Sequence, residues 1–350
     1  MSEIPRGAIR FNTDSNKPEL WDGSQWAEFQ LSTPNLGRGV DTQPGPRGIS
    51  GGGATPDRSD VIDYINLSST GNAIDFGDLN ASIYQMAGLS SSVIGVFAGG
   101  SSGSSNAENQ IQFVTIATTG DGTDFGNLTQ GRRNPGAVSN STRGIVGGGA
   151  DGPETTTYNI LDYISISSTG DAVDFGDLTR SGLVITGGIS NSIRGVFSGG
   201  AGAAPSYTTQ NTIDFITIPT LGDAQDFGDL SSGTAAASGC SNSTRGIIAG
   251  GLTTVPSTLT TSINYITISS GGNSQKFGDL TVASNFGAGG SMGSPTRGVF
   301  SSGHVAPGSG SVVNTIQYIT ISTEGDAVDF GDSTLAARYR ASLSNAHGGL

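Results

Sequence analysis

Lysine, histidine and cysteine are nearly absent from this chain. Lysine occurs only as Lys17 and Lys276, histidine only as His304 and His347, and Cys240 is the single cysteine. One cysteine excludes a disulfide framework within the chain. The formal net charge is −13, and so acidic a protein lacks the basic surface that nucleic-acid phosphates require. We therefore expect no nucleic-acid partner.

Long apolar runs are missing as well. No segment approaches the roughly 20 apolar residues that span a bilayer, and no apolar stretch follows Met1. These two features predict a protein without membrane insertion and without a signal peptide, which folds in a cytoplasm. Charged residues make up only 13% of the chain, whereas glycine occupies 57 positions. This composition is typical of closely spaced strands joined by uncharged loops.

The residues that enzymes use are poorly represented. Neither histidine has a cysteine, a serine elbow or a metal-ligand spacing around it. Acidic residues in predicted loops, such as Asp57, Glu108 and Glu154, cannot be matched from sequence into the facing pair that glycoside hydrolysis needs. The sequence therefore predicts a non-enzymatic protein without a cofactor. An enzyme that degrades polysaccharide stays open as an alternative.

Two acidic patterns have structural interpretations. Asp-Phe-Gly matches the metal-binding motif of protein kinases, but it recurs along the chain without a Gly-rich nucleotide loop and a strand lysine. Asp171, Asp174 and Asp177 have the spacing of a calcium site, but a later copy has Lys276 in the middle position. We interpret both patterns as hydrogen bonding at turns and strand ends, and we predict no metal site.

What the sequence does contain is an internal repeat. Short apolar segments that end in glycine recur at intervals of 47, 49, 51, 51 and 52 residues. These segments are residues 47–53, 94–100, 143–149, 194–200, 245–251 and 297–303. A period near 50 residues indicates a repeat architecture.

Each copy contains four strand signals. The glycine-ended segment is followed by a run of β-branched and aromatic residues, a segment that ends at phenylalanine, and a segment of small residues. β-branched and aromatic residues favour strands, and small side chains suit strands that crowd around an axis. Four strands per copy, repeated radially six times, predict an all-β fold: a six-bladed β-propeller over residues 47–350.

The repeat resembles the kelch family. In kelch repeats a Gly-Gly pair ends the second strand, and aromatic residues follow on the third and fourth strands. Here phenylalanine stands on the fourth strand, where many kelch repeats have tryptophan. The matching aromatic pairs are Tyr64 and Phe76, Phe113 and Phe125, Tyr163 and Phe175, Phe215 and Phe227, Tyr265 and Phe277, and Tyr318 and Phe330. The resemblance implies a kelch-like propeller.

Residues 1–30 lie outside the repeat and predict a β-meander of three short strands. A meander this small cannot bury enough surface to be stable alone. It resembles a short module, Gly-x-Ile-Arg-Phe-Asn-Thr-Asp-x-Asn-Lys followed by Trp-x-Gly-x-x-Trp, that is common in tail-fibre and other virion proteins of tailed bacteriophages. The resemblance implies attachment to other virion proteins or oligomerisation. The residues that would form this attachment module are Ile9, Phe11, Trp21, Trp26 and Phe29. A hairpin that caps the propeller edge is the alternative.

Counting strands predicts how the ring closes. Residues 31–46, rich in proline and glycine, form a predicted linker. With the small-residue strand named A, the glycine-ended strand B and the next two C and D, residues 47–346 follow the order B-C-D-A six times. The last A strand, near residues 335–345, must therefore pair with the B strand at residues 47–53.

Strand direction sorts the connections onto two faces. The B-to-C and D-to-A connections lie on one face of the disc, here called the outer face. The A-to-B and C-to-D connections lie on the other, the attachment face, from which both chain ends leave. Arginines recur where B strands begin on the attachment face. Together these arginines would form a ring of positive charge on the attachment face. One interpretation of this ring is an anion site. The other is that the arginines stack and pair with the aspartates of the C-to-D turns.

The outer face has the features of a recognition surface. The B-to-C loops differ among copies, whereas the A-to-B turns repeat Ser-Asn-Ser-Thr-Arg-Gly almost unchanged. Variable loops on a constant frame are typical of recognition, although drift in unconstrained loops gives the same pattern. Arginine and aromatic side chains are the usual anchors. The candidate contacts are Arg58, Asn106, Glu108, Tyr158, Tyr207 and His304 from B-to-C loops, and Arg132, Arg133, Arg180 and Tyr339 from D-to-A turns.

These features lead to one hypothesis and its alternatives. The hypothesis is a bacteriophage virion protein, a tail fibre or appendage component, whose residues 1–46 contact other virion proteins or a second copy of the chain. Its propeller would bind a glycan or protein on the host surface. The first alternative is a capsid or tail decoration or connector protein that binds no receptor, and the second is the polysaccharide-degrading enzyme.

Overall fold

The computed structural model describes residues 5, 7–12, 17–21, 24–28, 45–255, 258–287, 291–305 and 311–350. The chain divides into two compact units, Met1–Pro44 and Gly45–Leu350. All regular secondary structure in the described ranges is β-strand. These ranges contain no helix long and apolar enough to cross a membrane. The predicted linker, apart from residues 45–46, lies outside the described residues.

The first unit contains the predicted three-stranded antiparallel meander, formed by Ile9–Asn12, Lys17–Trp21 and Trp26–Glu28. Trp21 and Trp26 are register partners, and their ring centroids lie 5.5 Å apart. Arg10 lies over the Trp26 ring at 4.3 Å and pairs with Glu19 at 2.7 Å. Ile9 is 66% exposed. Phe29 and the side chain of Phe11 lie outside the described residues, and the attachment role of all five residues stays a prediction.

The second unit is a six-bladed β-propeller, as the repeat predicts. Each blade is a four-stranded antiparallel sheet, and the inner strands of neighbouring blades contact one another around the axis. From the axis outward, the strands of blades 1 to 6 are Ala341–Ser344, Arg47–Gly51, Val61–Asn66 and Ile74–Asp78; Ala87–Ser90, Ile94–Ala98, Gln110–Thr115 and Thr123–Asn127; Gly136–Ser139, Arg143–Gly147, Ile160–Ser165 and Val173–Asp177; Thr186–Ser190, Arg194–Ser198, Thr212–Thr217 and Gln225–Asp229; Ser238–Ser241, Arg245–Ala249, Ser262–Thr267 and Gln275–Asp279; Ser291–Gly293, Arg297–His304, Val312–Thr320 and Val328–Asp332.

The ring closes through the C-terminal strand, as the strand count predicts. Ala341–Ser344 is the inner strand of blade 1 and pairs antiparallel with Arg47–Gly51. Leu343 lies opposite Ile49, and Ser342 lies opposite Ser50 with their hydroxyl oxygens 2.7 Å apart. This pairing covers the inner edge that the first B strand would otherwise expose. Two short hairpins, Ala54–Thr55 with Asp57–Arg58 and Leu252–Thr254 with Thr258–Leu259, lie within B-to-C loops.

The recurring Asp-Phe-Gly motif joins neighbouring blades. Its phenylalanine is buried and packs edge-to-face on the C-strand aromatic of the same blade, as in Tyr64 with Phe76 at 5.9 Å. The next residue, Gly77, has φ 145°, and a Cβ there would lie 2.6 Å from Gly120 in the next blade. The D strand ends at Asp78, two residues beyond the phenylalanine. The predicted end of this strand at the phenylalanine is therefore wrong.

Aspartate and asparagine side chains of the C-to-D turns complete these junctions. Each accepts a hydrogen bond from a main-chain N–H on the D strand of the preceding blade, at 2.9–3.1 Å. The six acceptors are Asn72, Asp121, Asp171, Asp223, Asn273 and Asp326. Asp171, singled out as part of a calcium-like pattern, thus has the turn role that we preferred.

The arginines of the attachment face also join blades. Each lies over the C-strand aromatic ring of its own blade and donates from Nη1 to a main-chain carbonyl of the next blade. For example, the Arg47 guanidinium lies 4.5 Å from the Tyr64 ring and 3.0 Å from the Ile116 oxygen. The predicted stacking is confirmed, but the hydrogen-bond partner is a carbonyl rather than the predicted aspartate. The other four arginines are Arg143, Arg194, Arg245 and Arg297.

Blade 2 lacks this arginine because Ile94 takes its place. We expect Ile94→Arg to stabilise the protein by about 1 kcal/mol, from one cation–π contact over Phe113 and one hydrogen bond to the Ile166 carbonyl. Thermal unfolding should show the midpoint rising by about 2 °C. Ile94→Lys is the control, because an ammonium group lacks the planar fork that stacks and donates together. An equal gain from lysine, or a loss with arginine, would contradict this account.

The axis is lined by small residues that let the inner strands approach closely. A Cβ on Gly88 would lie 2.4 Å from the Ser342 carbonyl oxygen. Inner-strand serines link blade to blade by donating to carbonyls, as Ser190 does to Ser139 at 2.8 Å. On the attachment side, His347 Nε2 lies 3.1 Å from the Ser90 oxygen. Burial lowers the pKa of His347 to about 4, so its imidazole is neutral at pH 7.

Candidate functional site

The six D-to-A turns meet around the axis on the outer face. Main-chain N–H groups donate to carbonyls from turn to turn at 2.9–3.1 Å, and the donor–acceptor pairs are Gln85 to Tyr339, Asn134 to Gln85, Val184 to Asn134, Ala236 to Val184 and Phe286 to Ala236. We call these six residues the axial ring. Five of them have φ between 48° and 61°, which is uncommon for residues other than glycine and costs free energy. The hydrogen bonds between turns offset this strain.

A cavity of about 260 Å³ opens at the axial ring, and we call it the axial cup. All six blades contribute to its lining. Apolar groups come from the turns and from two B-to-C loops, and polar groups come from amide side chains, one carboxylate and two phenols. Its lining residues are Gln85, Asn134, Glu154, Leu183, Val184, Tyr207, Ala236, Leu252, Val255, Asn285 and Tyr339.

Glu154 is the polar centre of the cup. Its Oε1 accepts from Arg133 Nη2 at 2.7 Å and from Asn134 Nδ2 at 3.1 Å, and its Oε2 accepts from the Tyr207 hydroxyl at 3.0 Å. Burial and the neighbouring Glu154 carboxylate raise the pKa of Tyr207. Tyr207 therefore remains a protonated donor at neutral pH, and the network holds two B-to-C loops and one D-to-A turn together.

A second cluster lies on the other side of the cup. The rings of Tyr84 and Tyr339 lie 6.2 Å apart. The Arg58 guanidinium lies 5.1 Å from the Tyr84 ring, and the Arg338 guanidinium lies 5.7 Å from the Tyr339 ring. Burial raises the pKa of Tyr339. Two candidate contacts, Arg58 and Tyr339, are thus joined through Tyr84, as Arg133 and Tyr207 are joined through Glu154.

Two side-chain oxygens at the cup are unpaired. Gln85 Oε1 and Asn134 Oδ1 are buried and have no hydrogen-bond partner among the described residues. The orientation of Asn134 is fixed, because its Nδ2 donates to a carboxylate that can only accept. A buried carbonyl oxygen without a donor is costly, so a hydroxyl or N–H group would be favoured beside it.

Arg132 is not available to a ligand, because its side chain is fully buried. Its Nη2 pairs with Asp162 at 2.6 Å, and its Nη1 donates to the Ile160 carbonyl at 3.1 Å. Burial lowers the pKa of Arg132, and Asp162 opposes this shift. The sequence-based choice of Arg132 as an outer-face contact is therefore corrected: this arginine neutralises a buried carboxylate inside blade 3.

Arg180 has a similar structural role. It is half-buried and donates to Gln210 at 2.6 Å and to the Thr212 carbonyl at 3.0 Å. Burial raises the pKa of the Asp214 carboxyl, and the nearby charge of Arg180 opposes this rise. Burial in turn lowers the pKa of Arg180 itself. Arg180 thus belongs to the frame of blade 4 and not to the cup.

The remaining candidate contacts lie apart from the cup. Asn106 and Glu108 both contact Ser102 within their own loop. Tyr158 is half-buried beneath the blade 3 loop, where its N–H donates to the Gly149 carbonyl at 2.9 Å. His304 is 8% exposed, and its main chain pairs with Asn285, which lines the cup.

Several cup residues were missed from the sequence. Gln85, Asn134, Val184 and Ala236 carry no chemical signal alone, and Glu154 was considered only as a catalytic acid. The signal that could have found them is positional. Five of the six axial-ring residues stand two residues before an inner strand, so aligning the D-to-A turns brings these five to equivalent positions around the axis.

No family model matches the chain, and a search of curated proteins finds no match.

Proposed function

We propose that the protein is a non-enzymatic virion component of a tailed bacteriophage, a tail fibre or appendage that presents a kelch-like propeller to the host surface. The observation that carries this proposal is the axial cup. It combines apolar walls, two tyrosines and convergent polar groups at the centre of the face with variable loops, which are the features of a ligand site.

Attachment is assigned to residues 1–46 and to the opposite face of the propeller. The N-terminal sequence resembles a virion module, and the rings of its Trp21 and Trp26 pack against each other at a tilt of 55° in the meander. On the attachment face, Val93, Ile193 and Leu221 are 56%, 57% and 58% exposed. Exposed apolar side chains favour contact with another protein. These residues also support the connector alternative, in which the propeller packs between virion parts.

The test is binding of the purified, fluorescently labelled full chain to bacterial cells. We expect saturable binding to host strains and none to strains that lack surface polysaccharide or the receptor protein. Grafting the short blade 1 loop, residues 54–60 with Arg58 changed to serine, into the other five B-to-C positions should abolish binding while the propeller still unfolds cooperatively. Unchanged binding after all five grafts would contradict receptor recognition.

The connector alternative makes a different prediction. A low-resolution map of whole particles would then show both faces of the disc covered by other virion proteins. An exposed outer face supports host recognition. The enzyme alternative predicts shortening of host capsule during incubation with the protein.

A further inference from the structure

We infer that the axial cup binds a single neutral pyranose ring, a terminal or branch sugar of a host-surface polysaccharide. This inference rests on the proposed function and adds the chemical class of the ligand and its place on the disc. It follows from four properties of the cup: its size, its aromatic and apolar walls, its hydrogen-bonding groups and its charge.

The size of the cup limits the ligand. A volume of about 260 Å³ lies just below the range of pockets that enclose drug-sized molecules, about 300–1,000 Å³. It therefore admits one sugar ring rather than an extended chain or a folded peptide segment. The cup opens to solvent on the outer face, so a ring at the end of a polysaccharide can enter while the rest of the chain remains outside.

The walls of the cup suit the faces of a sugar ring. Tyr207 and Tyr339 belong to different blades and both line the cavity, together with Leu183, Val184 and Val255. The two phenol rings have restricted motion, because Tyr207 donates to Glu154 and Tyr339 packs with Tyr84. Rigid aromatic groups offer a large contact area at a small entropy cost, and the C–H groups of a pyranose supply the matching apolar surface.

The polar groups of the cup call for a ligand that donates hydrogen bonds. Gln85 Oε1 and Asn134 Oδ1 are acceptors without partners among the described residues, and Glu154 adds a carboxylate. The Tyr207 proton is already committed to Glu154. A pyranose carries several hydroxyl donors on one rigid ring, whereas a carboxylate or phosphate carries none and would leave these oxygens unpaired.

The charge of the cup favours a neutral ligand. Arg133 pairs with Glu154 at 2.7 Å, and both side chains are largely buried. Their charges cancel, and the two other arginines beside the cup, Arg58 and Arg338, lie over the rings of Tyr84 and Tyr339 and are not among its lining residues. The protein as a whole has a net charge of −13, which opposes the approach of acidic sugars at low ionic strength.

The experiment is a titration of the full chain by saturation-transfer NMR and calorimetry with methyl pyranosides of glucose, galactose, mannose and N-acetylglucosamine. We expect at least one to bind with Kd on the order of 1 mM, the strength typical of so small a ligand. Tyr339→Ala should weaken this binding at least tenfold. Tyr163→Phe, on the third strand of blade 3 and outside the cup, is the matched control and should bind as the parent does.

Three results would overturn the inference. The first is that none of the four probes binds at concentrations up to 50 mM, roughly fifty times the expected Kd. The second is that methyl glucuronide binds more tightly than methyl glucoside. The third is that Tyr339→Ala binds the sugar as strongly as the parent protein does. If Tyr339→Ala unfolds, Tyr207→Ala makes the same test from the other wall. The two proposals fail separately: sugar binding without cell binding removes host recognition, and cell binding that persists in Tyr339→Ala removes the cup.

Discussion

Replacing Arg132 with alanine is expected to lower the free energy of unfolding by about 3–5 kcal/mol, because the change leaves a buried carboxylate without its partner. Arg132 and Asp162 are both fully buried and lie 2.6 Å apart. Asp162 also accepts from the Thr129 N–H at 3.1 Å and from the Thr129 hydroxyl at 2.8 Å, but these two neutral donors cannot replace the charge of a guanidinium. The midpoint of thermal unfolding should fall on the order of 10 °C.

The other blades show how this loss can be reversed. At the position of Asp162, blades 2 and 6 have Gln112 and Gln317, whose side-chain oxygens accept from Asn80 and Thr281 at 3.0 and 2.8 Å. A neutral amide at this position needs no counter-ion. We therefore expect the double variant Arg132→Leu/Asp162→Gln to recover most of the stability lost in Arg132→Ala.

The control for this experiment is an exposed ion pair. Lys276 and Asp279 lie 2.7 Å apart, and about half of each side chain is exposed. Lys276→Ala should cost less than about 1 kcal/mol. The account of Arg132 fails if Arg132→Ala costs no more than Lys276→Ala, or if the double variant is as unstable as the single one, in chemical denaturation followed by circular dichroism.

Removing residues 341–350 is expected to abolish the cooperative unfolding transition of the propeller. The truncation deletes the inner strand of blade 1 and with it Leu343, which is buried against Ile49 and Ile62. It also removes the Ser344 carbonyl that accepts from Ser90 at 2.7 Å, and it leaves the inner edge of Arg47–Gly51 without a paired strand. A ring left open in this way has free strand edges and should aggregate.

A shorter truncation separates ring closure from the C-terminal tail. Deleting only residues 347–350 removes the His347 contacts with Ser90 and Ser139 but keeps the whole inner strand. That variant should remain monomeric and unfold cooperatively, with a midpoint a few degrees lower. A monomeric, cooperatively unfolding protein after removal of residues 341–350 would show that the last strand is dispensable.

Much of the fold could be predicted because the repeat states the same information six times. Each copy shows the glycine-ended strand, the C-strand aromatic and the buried phenylalanine, so errors at one copy are corrected by the others. The end of the D strand was placed too early, because a glycine after phenylalanine normally indicates a turn. Here Gly77 instead allows the strand to pass close to the next blade.

The candidate site was harder to predict because its residues are not repeated. Arg132 and Arg133 are adjacent in sequence, yet one pairs with a buried aspartate and the other with Glu154 at the cup. Residue type alone does not distinguish them. The distinction depends on the folded positions of their partners, which lie 30 and 21 residues further along the chain.

Six blades form a ring that closes between its first and last strands, and the two faces and the axial cup follow from that closure. The most direct measurement is cross-linking of Ser50→Cys/Ser342→Cys in a Cys240→Ala background, since the two native hydroxyl oxygens lie 2.7 Å apart. Ser50→Cys/Ser139→Cys, which joins blades 1 and 3, is the control and should stay reduced. The account predicts a monomer with one intramolecular disulfide, seen as faster migration on a non-reducing gel. Free thiols at both positions, or disulfide-linked dimers in place of the monomer, would contradict it.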